Sequence, residues 1–350
     1  MESSASTEPG LPEELGGLVV GRRRELELVL AALAGDRHIL LEGPPGTGKS
    51  TLLAALASAT GRGFVFVEGN AELTPARLLG HHDPSRVLAE GYRPEIFVEG
   101  PLARALREGA LLYLEELNRV PEETLNVLVG VMSEGAIEVP RLGRLEAAEG
   151  FALVAAMNPF DSVGTARISS AVYDRTCRVL MDYQSAADEA EIVSRRTLPS
   201  EGPPADPAWV GKVVELVRRT RSHPEIRIGS SVRGAIDLVL VAGNLGRIRG
   251  LPAGSREVGL DAALTALSGR IRVQEGSGRT PEEVITTLWD EVFPAGPTPG
   301  EGPPPEEPGK AGGDPGKVGA PAVPGPTGAA TEGSPPGSGP EAGHRRSGPG

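Results

Sequence analysis

The segment at positions 43–50 constrains this chain most, and it reads Gly-Pro-Pro-Gly-Thr-Gly-Lys-Ser. It fits the phosphate-loop pattern G-x-x-x-x-G-K-[ST], and it lies between an apolar run at 39–41 and a run of helix-forming residues that starts at Thr51. Glycines in such a loop let successive backbone N–H groups face a phosphate, and the positive end of the following helix points at the same place. The order therefore predicts a strand, a loop and a helix that bind a nucleoside triphosphate.

Within this segment, two side chains have separate tasks. Lys49 can reach the β- and γ-phosphates, and the hydroxyl of Ser50 can hold Mg²⁺. The alternative is a Gly-Pro surface turn that only happens to precede a helix, and it leaves the Lys-Ser pair unexplained. The residues of this segment predicted to bind the nucleoside triphosphate are Gly43, Pro44, Pro45, Gly46, Thr47, Gly48, Lys49, Ser50 and Thr51.

A second apolar run, at 110–114, ends in two carboxylates, Glu115 and Glu116. In phosphate-loop NTPases a strand next to the loop ends in an acid that holds the Mg²⁺ shell. We therefore expect Glu115 to hold the metal and Glu116 to polarise the attacking water. The alternative for Glu116 is a salt-bridged surface acid. A further buried strand at 151–156 brings Asn158 to the same edge of the sheet.

Composition excludes several other classes of protein. The chain has 350 residues and a formal net charge of -12, which disfavours a protein that coats nucleic acid. Cys177 is the single cysteine, so neither a disulfide within the chain nor a cysteine metal cluster can form. The N-terminus lacks the pattern of a secretory signal, and no apolar run approaches the roughly 20 residues that span a bilayer. The expected location is the cytoplasm, with no membrane span.

Changes of composition along the chain predict four parts. Residues 1–16 are expected to be flexible, residues 17–183 form an α/β nucleotide-binding domain, and residues 184–293 form a small helical domain. Helices are predicted at 185–196, 207–220, 231–244, 257–270 and 281–292, with no strand after position 181. About half of residues 294–350 are Pro or Gly, a composition that predicts a disordered tail.

Two polar clusters have ordinary interpretations. The adjacent residues His81, His82 and Asp83 could suggest a metal site. No third ligand at a sensible metal-binding spacing is visible, so a loop is favoured over a metal site. Arg22, Arg23 and Arg24 precede a predicted amphipathic helix, and we expect them to be solvated charges rather than a binding site.

Several motifs together resemble those of the AAA+ ATPases, and in detail those of the MoxR family with its CbbQ/NorQ type. The stretch at 115–121, Glu-Glu-Leu-Asn-Arg-Val-Pro, resembles the family's "DEINRAP". Met157-Asn158-Pro159 resembles its "TQNP". The Gly164-Thr and Asp174-Arg175 pairs continue that match, and the segment at 228–235 resembles its "GaSPRA". The similarity extends over residues 18–293.

The resemblance implies a fold, a reaction and roles for further residues. The fold is an AAA+ α/β core with a parallel sheet and an all-helical lid, and the reaction is ATP hydrolysis with Mg²⁺. Asn158 would be the sensor between the γ-phosphate and the water, and Arg233 would reach the γ-phosphate from the lid. Val20 and Gly21, with Val19, would line the adenine pocket.

The resemblance also implies partners. Arg175 would act as an arginine finger in trans, with Arg178 as the second candidate and an internal salt bridge as the alternative for either. A finger in trans implies a closed homo-oligomeric ring, which in this family is a hexamer. Relatives act as chaperones or activases of cofactor-dependent enzymes, together with a protein that carries a von Willebrand A domain.

One departure from the family keeps other functions open. The family usually has Asp where this chain has Glu115, and Mg²⁺ demands near-ideal geometry. A nucleotide-dependent scaffold with little turnover is therefore one alternative. The ATPase subunit of a metal-chelatase-like complex is another. A nucleic-acid motor is a third, and the acidic charge disfavours it.

Overall fold

The computed structural model of the protein describes residues 19–159, 168–199 and 204–294. The chain divides into two units, Met1–Gly296 and Pro297–Gly350, and the described residues belong to the first. The elements of its α/β region (residues 19–180) are, in order, α1 (Arg23–Ala34), β1 (His38–Glu42), α2 (Lys49–Thr60), β2 (Phe64–Glu68), α3 (Pro75–Leu79), β3 (Gly80–His82), α4 (Pro84–Glu90), β4 (Phe97–Glu99), α5 (Pro101–Glu108), β5 (Leu111–Glu115), α6 (Glu122–Glu134), β6 (Ala136–Val139), β7 (Gly143–Glu146), β8 (Ala152–Met157), α7 (Ser170–Asp174) and β9 (Thr176–Leu180).

Five of these strands form one parallel sheet in the order β2-β5-β8-β1-β9. The strand before the phosphate loop, β1, is therefore interior, with β8 on one side and β9 on the other. The carboxyl ends of all five strands meet at one edge, where ligands of open α/β sheets bind. The sheet brings the phosphate loop, Glu115 and Asn158 to that edge, and it confirms the predicted α/β fold class.

The neighbour of β1 differs from the prediction. The sequence analysis expected the acid-bearing strand, β5, next to the phosphate loop, whereas β8 lies between β1 and β5. Strand β9 was not predicted at all. Only Val179 of its five residues is buried, because β9 lies at the edge of the sheet and pairs on one side only. Such a strand lacks the continuous apolar run of an interior parallel strand.

Alternating residues of β1 pack on opposite faces of the sheet. Leu40 joins the core formed with α5 and α6, while Ile39 and Leu41 join the core formed with α1 and α2. This alternation is the period of two that a strand imposes on its side chains. Because helices cover both faces, β1 and β8 are buried along nearly their whole length.

The helical region follows the sheet and has its own core around Trp289. The five helices predicted there are confirmed to within a few residues at most ends. A short antiparallel pair, which an all-helical region would lack, connects residues near Ile226 and Val273. Its strands are too short for a period of two to be visible in the sequence. The elements are α8 (Ala186–Arg196), α9 (Pro207–Ser222), β10 (Ile226–Ile228), α10 (Val232–Arg249), α11 (Arg256–Leu267), β11 (Arg272–Val273) and α12 (Pro281–Val292).

Parts of the chain named in the sequence analysis lie outside the described residues. These are residues 1–16, the Gly164-Thr pair, and residues 295–350 of the predicted tail. Over the ranges that are described, no helix combines the length and the apolar character needed to cross a membrane.

Candidate functional site

A cleft of about 100 Å³ lies at the carboxyl edge of the sheet. It is formed where the phosphate loop, the end of β5, the end of β8 and the start of α10 meet. Segments far apart in sequence therefore supply its walls. The lining residues are Pro45, Gly46, Thr47, Gly48, Lys49, Ser50, Thr51, Glu115, Glu116, Ala156, Met157, Asn158 and Arg233.

Two glycines give the loop its shape. Gly46 and Gly48 have φ angles of 75° and 86°, in the left-handed region that residues with a Cβ rarely adopt. Gly48 is also the residue that precedes α2, so the helix begins at Lys49 with its positive end at the cleft. A negatively charged group in the cleft would face the free N–H groups of this helix terminus.

Lys49 is buried beneath the loop. Its ammonium group donates hydrogen bonds to the carbonyl oxygens of Gly43 and Pro44, both at 2.9 Å. Burial lowers the pKa of Lys49 to about 8, while the nearby Glu115 and Glu116 raise it. Gly43 and Pro44 do not line the cleft, and their carbonyls hold the lysine in place.

Ser50 and Glu115 form an oxygen-rich corner of the cleft. The Ser50 hydroxyl donates to Oε1 of Glu115 at 2.8 Å and lies 3.2 Å from the hydroxyl of Tyr113. Burial raises the pKa of Tyr113, so its hydroxyl stays protonated at neutral pH. Mg²⁺ prefers such hydroxyl and carboxylate oxygens, and it is commonly held by one or two carboxylates together with substrate phosphates. Ser50 and Glu115 therefore fit a magnesium ion. Tyr113 was not predicted as a site residue.

No cluster of three or more His, Cys, Asp or Glu side chains with metal-binding geometry occurs in the described part of the chain. His82 instead packs edge-on against the rings of Tyr92 and Phe97, and Asp83 caps α4 by accepting from the N–H of Ser85. The predicted loop at this place is in part the short strand β3.

Glu116 has a strained backbone. Its φ and ψ angles of 56° and 45° lie in the left-handed region, which costs a non-glycine residue about 1–3 kcal/mol. Its Oε2 lies 3.2 Å from Nε of Arg119, yet this buried oxygen makes no hydrogen bond of good geometry. Glu116 lines the cleft, so its carboxylate can accept a hydrogen bond from a water molecule bound there.

Gly69 supports the two acids from behind, and the sequence analysis missed it. Its N–H donates to the carbonyl of Glu115 at 2.7 Å. A Cβ at this position would lie 2.5 Å from the carbonyl oxygen of Glu116 and 2.8 Å from that of Glu115. Its position close behind the apolar run at 64–67 was the only signal in the sequence.

We expect Gly69→Ala to destabilise the fold by about 1–3 kcal/mol, because backbone atoms must move to admit the methyl group. It should also slow ATP hydrolysis, since those atoms carry Glu115 and Glu116. Gly130→Ala is the matched control. Gly130 lies within α6 with open space around it, so alanine there should stabilise the protein by about 0.5–1 kcal/mol. Urea denaturation and phosphate release of the two variants check both statements, and a neutral Gly69→Ala would contradict them.

A second cavity, of about 220 Å³, adjoins the cleft, and the two share lining residues such as Gly48 and Arg233. Apolar side chains from both regions form much of its wall, including Val20 on one side and Ile236 on the other. Gly21 does not line it and lies against the carboxylate of Asp188. The lining residues are Val19, Val20, Gly46, Gly48, Thr51, Gln184, Ile192, Arg195, Arg196, Val232, Arg233 and Ile236.

The two candidate arginine fingers have partners within the chain. Arg175 donates to the hydroxyl of Ser133 at 2.5 Å and to the carbonyl of Ala171 at 3.1 Å. Arg178 forms an ion pair with Glu42, a buried carboxylate at the end of β1. The structure therefore places neither arginine in the cleft of its own chain.

Arg22 is buried, whereas the sequence predicted a solvated charge at this position. Its side chain is 3% exposed, whereas that of Arg23 is 80% exposed. Nε and Nη2 of Arg22 donate to the carbonyl of Thr47 at 3.1 and 2.8 Å. Its position next to Gly21, just before the first turn of α1, was the only available signal.

The largest cavity near the site, about 900 Å³, lies against the connector, which we define as residues 181–185 between β9 and α8. Its arginines are neutralised within the chain. Arg218 and Arg221 pair with the buried Glu189, and Arg219 pairs with Glu215 and Glu291. The smaller cleft at the phosphate loop is therefore the better candidate for an anionic ligand.

The chain is similar to several known proteins. The profile of the AAA domain (dynein-related subfamily) matches residues 38–176. Protein NorQ of Paracoccus denitrificans (strain Pd 1222) is 34% identical over 175 residues, which are 49% of this chain and 63% of NorQ. The uncharacterised protein YeaC of Bacillus subtilis (strain 168) is 29% identical over 253 residues, 66% of this chain and 76% of YeaC.

Among solved structures, the RuvB Holliday junction branch migration motor of Thermotoga maritima is 17% identical, with a TM-score of 0.46. The match covers 80% of this chain and 79% of the RuvB chain. A chain in the complex between subunits BchI and BchD of magnesium chelatase is 24% identical, with a TM-score of 0.41. The match covers 78% of this chain and 98% of the chelatase chain.

The parallel sheet, its phosphate loop and the matching domain profile define a phosphate-loop NTPase of the AAA+ class. Proteins of this class bind nucleotide, usually with Mg²⁺, generally hydrolyse it and commonly form rings. Within this class, NorQ and YeaC are homologues of the chain.

Proposed function

We propose that this protein is an ATP-hydrolysing chaperone or activase that remodels or assembles a partner protein or a cofactor-dependent enzyme. The observation that carries the hydrolytic part is the single cleft in which Lys49, Ser50, Glu115, Glu116 and Asn158 converge, closed by Arg233 from the helical region. Such a set provides charge neutralisation, metal ligands and a base, which are the parts that phosphoryl transfer to water requires.

Each group in the cleft has a role in this proposal. The loop amides bind the phosphates, and Lys49 leaves its two carbonyl partners to neutralise charge on the transferred phosphoryl group. When bound, Mg²⁺ supplies positive charge at the β- and γ-phosphates, and Ser50 and Glu115 would hold it. Glu116 orients the attacking water and accepts its proton.

Two residues complete the cleft from outside the phosphate loop. Asn158 connects the water to the γ-phosphate, and Arg233 contacts that phosphate from the first turn of α10. Because Gly46 touches Ser231 at the start of α10, the loop and the helical region are already in contact. Loss of the γ-phosphate therefore changes the contacts between the two regions.

The assembly in this proposal is a homo-oligomeric ring, with a hexamer implied by the family resemblance. Arg175 reaches the cleft of a neighbouring subunit, after leaving Ser133 and Ala171. A heterologous interface of this kind closes into a ring. A partner with a von Willebrand A domain and a client enzyme complete the proposal, and a cytoplasmic location stays a prediction from sequence. The chain spans 63% of NorQ, so no property of the whole of NorQ is carried over.

The test is phosphate release from ATP by the purified chain, with its mass in solution measured in the presence and absence of nucleotide. Turnover with a nucleotide-dependent ring supports the proposal, whereas binding without turnover would leave only a scaffold. Capture of partners on the Glu116→Gln variant, identified by mass spectrometry against a Lys49→Ala control, then tests the chaperone part.

We expect Glu115→Gln to raise the Mg²⁺ concentration for half-maximal ATPase activity by about tenfold or more, because an amide is a weaker ligand for a hard cation than a carboxylate. Glu115→Asp should retain activity, since aspartate has the same charge. The measurement is ATPase rate against Mg²⁺ at fixed ATP. An unchanged Mg²⁺ dependence in Glu115→Gln would remove this residue from the metal site.

A further inference from the structure

The buried cation Arg22 is not explained by the nucleotide site as described so far. Its guanidinium donates in three directions, to Thr47, to Asp182 and to the carboxylate of Glu25. Moving a charge out of water is costly unless it is paired and hydrogen-bonded, and Glu25 at 2.9 Å provides the opposite charge. The contacts of Arg22 therefore fix the position of its guanidinium group.

The bond to Thr47 fixes one peptide group of the phosphate loop. The carbonyl of Thr47 and the N–H of Gly48 belong to the same planar trans peptide, so they point in opposite directions. Arg22 binds that carbonyl at 2.8 Å and does not line the cleft, whereas Gly48 does, so the N–H of Gly48 is fixed on the side away from Arg22. Arg22 thereby orients a phosphate-binding donor without touching the phosphate.

The bond to Asp182 reaches the connector. Nη2 of Arg22 donates to the Asp182 carbonyl at 2.5 Å, and the same nitrogen binds Thr47. From the helical region, Arg218 donates to the carbonyl of Gln184 at 2.9 Å, and Arg221 lies 3.9 Å from the ring centre of Tyr183. The connector is therefore held on one side by α9 and on the other by Arg22.

We propose that Arg22 is a positioning residue that holds the Gly48 N–H in its phosphate-binding orientation and connects the phosphate loop to the connector. Binding of a nucleotide at the loop then shifts the helical region through the Thr47–Arg22–Asp182 contacts. This inference rests on the proposed function, because it requires a nucleotide in the cleft.

The first test measures nucleotide affinity with a fluorescent ATP analogue. Arg22→Gln should bind it at least about tenfold more weakly, while the matched control Arg23→Gln, on the exposed side of α1, should stay within about twofold of wild type. Arg22→Lys should be intermediate, because one ammonium group cannot reproduce the forked contacts of a guanidinium. Millimolar guanidinium should partly restore binding to Arg22→Ala, a rescue that a general loss of packing would not show.

The second test measures the coupling. The single native cysteine, Cys177, is exposed on β9, and Ile248 on α10 is 81% exposed, so Ile248→Cys adds a second site for a spin label. Pulsed dipolar spectroscopy then reports the distance between the two regions. Each protein is measured at a nucleotide concentration about 20 times its own dissociation constant, which gives about 95% occupancy.

In the spin-labelled protein that keeps Arg22, we expect the distance distribution to shift on nucleotide binding. In the spin-labelled protein that also carries Arg22→Gln, we expect this shift to be lost. An equal shift in both, or no shift with Arg22 present, overturns the inference while the nucleotide site stands. Absence of nucleotide binding by wild type overturns the proposed function instead. Should Arg22→Gln fail to fold, as judged by circular dichroism, Arg22→Lys takes its place, and wild-type affinity with a wild-type shift in that variant overturns the inference.

Discussion

Lys49→Ala should abolish productive ATP binding, with the dissociation constant raised by about 100-fold or more. A hydrogen bond to a charged group contributes about 1.5–3 kcal/mol, and Lys49 is placed to make one to each of two phosphates. Loss of both corresponds to at least two powers of ten in affinity. The lysine lies at the helix terminus that faces the cleft, so no other ammonium group of the described residues can replace it there.

Lys212→Ala is the matched control for this experiment. Lys212 lies on α9 near the ring of Phe293, away from the cleft, and its loss should leave ATP affinity within about twofold. Isothermal titration calorimetry measures both variants. Because burial already penalises the charged form of Lys49, we expect the alanine variant to stay folded, with a change in melting temperature of about 4 °C or less. Unchanged ATP affinity in a folded Lys49→Ala protein would contradict the site.

Glu116→Gln should reduce the rate of ATP hydrolysis by about 100-fold or more while ATP affinity stays within about threefold. General base catalysis contributes about two to four powers of ten, and glutamine keeps the shape of the side chain but cannot take the proton. Glu116 lines the cleft, and its carboxylate has an oxygen, Oε2, that makes no hydrogen bond of good geometry. The variant should therefore hold ATP and stall.

The control for Glu116→Gln removes a charge nearby without entering the cleft. Glu123 is exposed in the first turn of α6, so Glu123→Gln should hydrolyse ATP within about twofold of the wild-type rate. Single-turnover measurements with labelled ATP separate chemistry from product release. Equal rates for wild type and Glu116→Gln would exclude Glu116 as the base and leave it as an acid that pairs with Arg119.

The backbone strain at Glu116 could not be predicted from the residues around it in the sequence. The apolar run ending in two acids predicted β5 and the direction of its carboxyl end, because a buried strand is visible within a few residues. Glu116 has a left-handed conformation, and its carbonyl oxygen packs against Gly69, the residue directly after the neighbouring strand β2. Nothing within the local run of residues indicates that contact.

The order of the strands in the sheet could not be predicted from local residues either. Each of β1, β5 and β8 was predicted from its own apolar residues, yet their order in the sheet, with β8 beside β1, was not. Strand order depends on which helices cross over which face, and this involves residues more than a hundred positions apart. The edge strand β9 was missed for a related reason, since its partner β1 provides most of the apolar surface.

By itself, the sequence determined the phosphate loop, the helix after it, the two acids and the five later helices, because each depends on residues within a few positions of one another. Only the tertiary structure decided that Arg22 is buried against Thr47 while Arg23 is solvated, and that Arg178 pairs with Glu42. Those outcomes depend on desolvation and pairing between distant segments, and identical side chains acquire different environments only when the chain has packed.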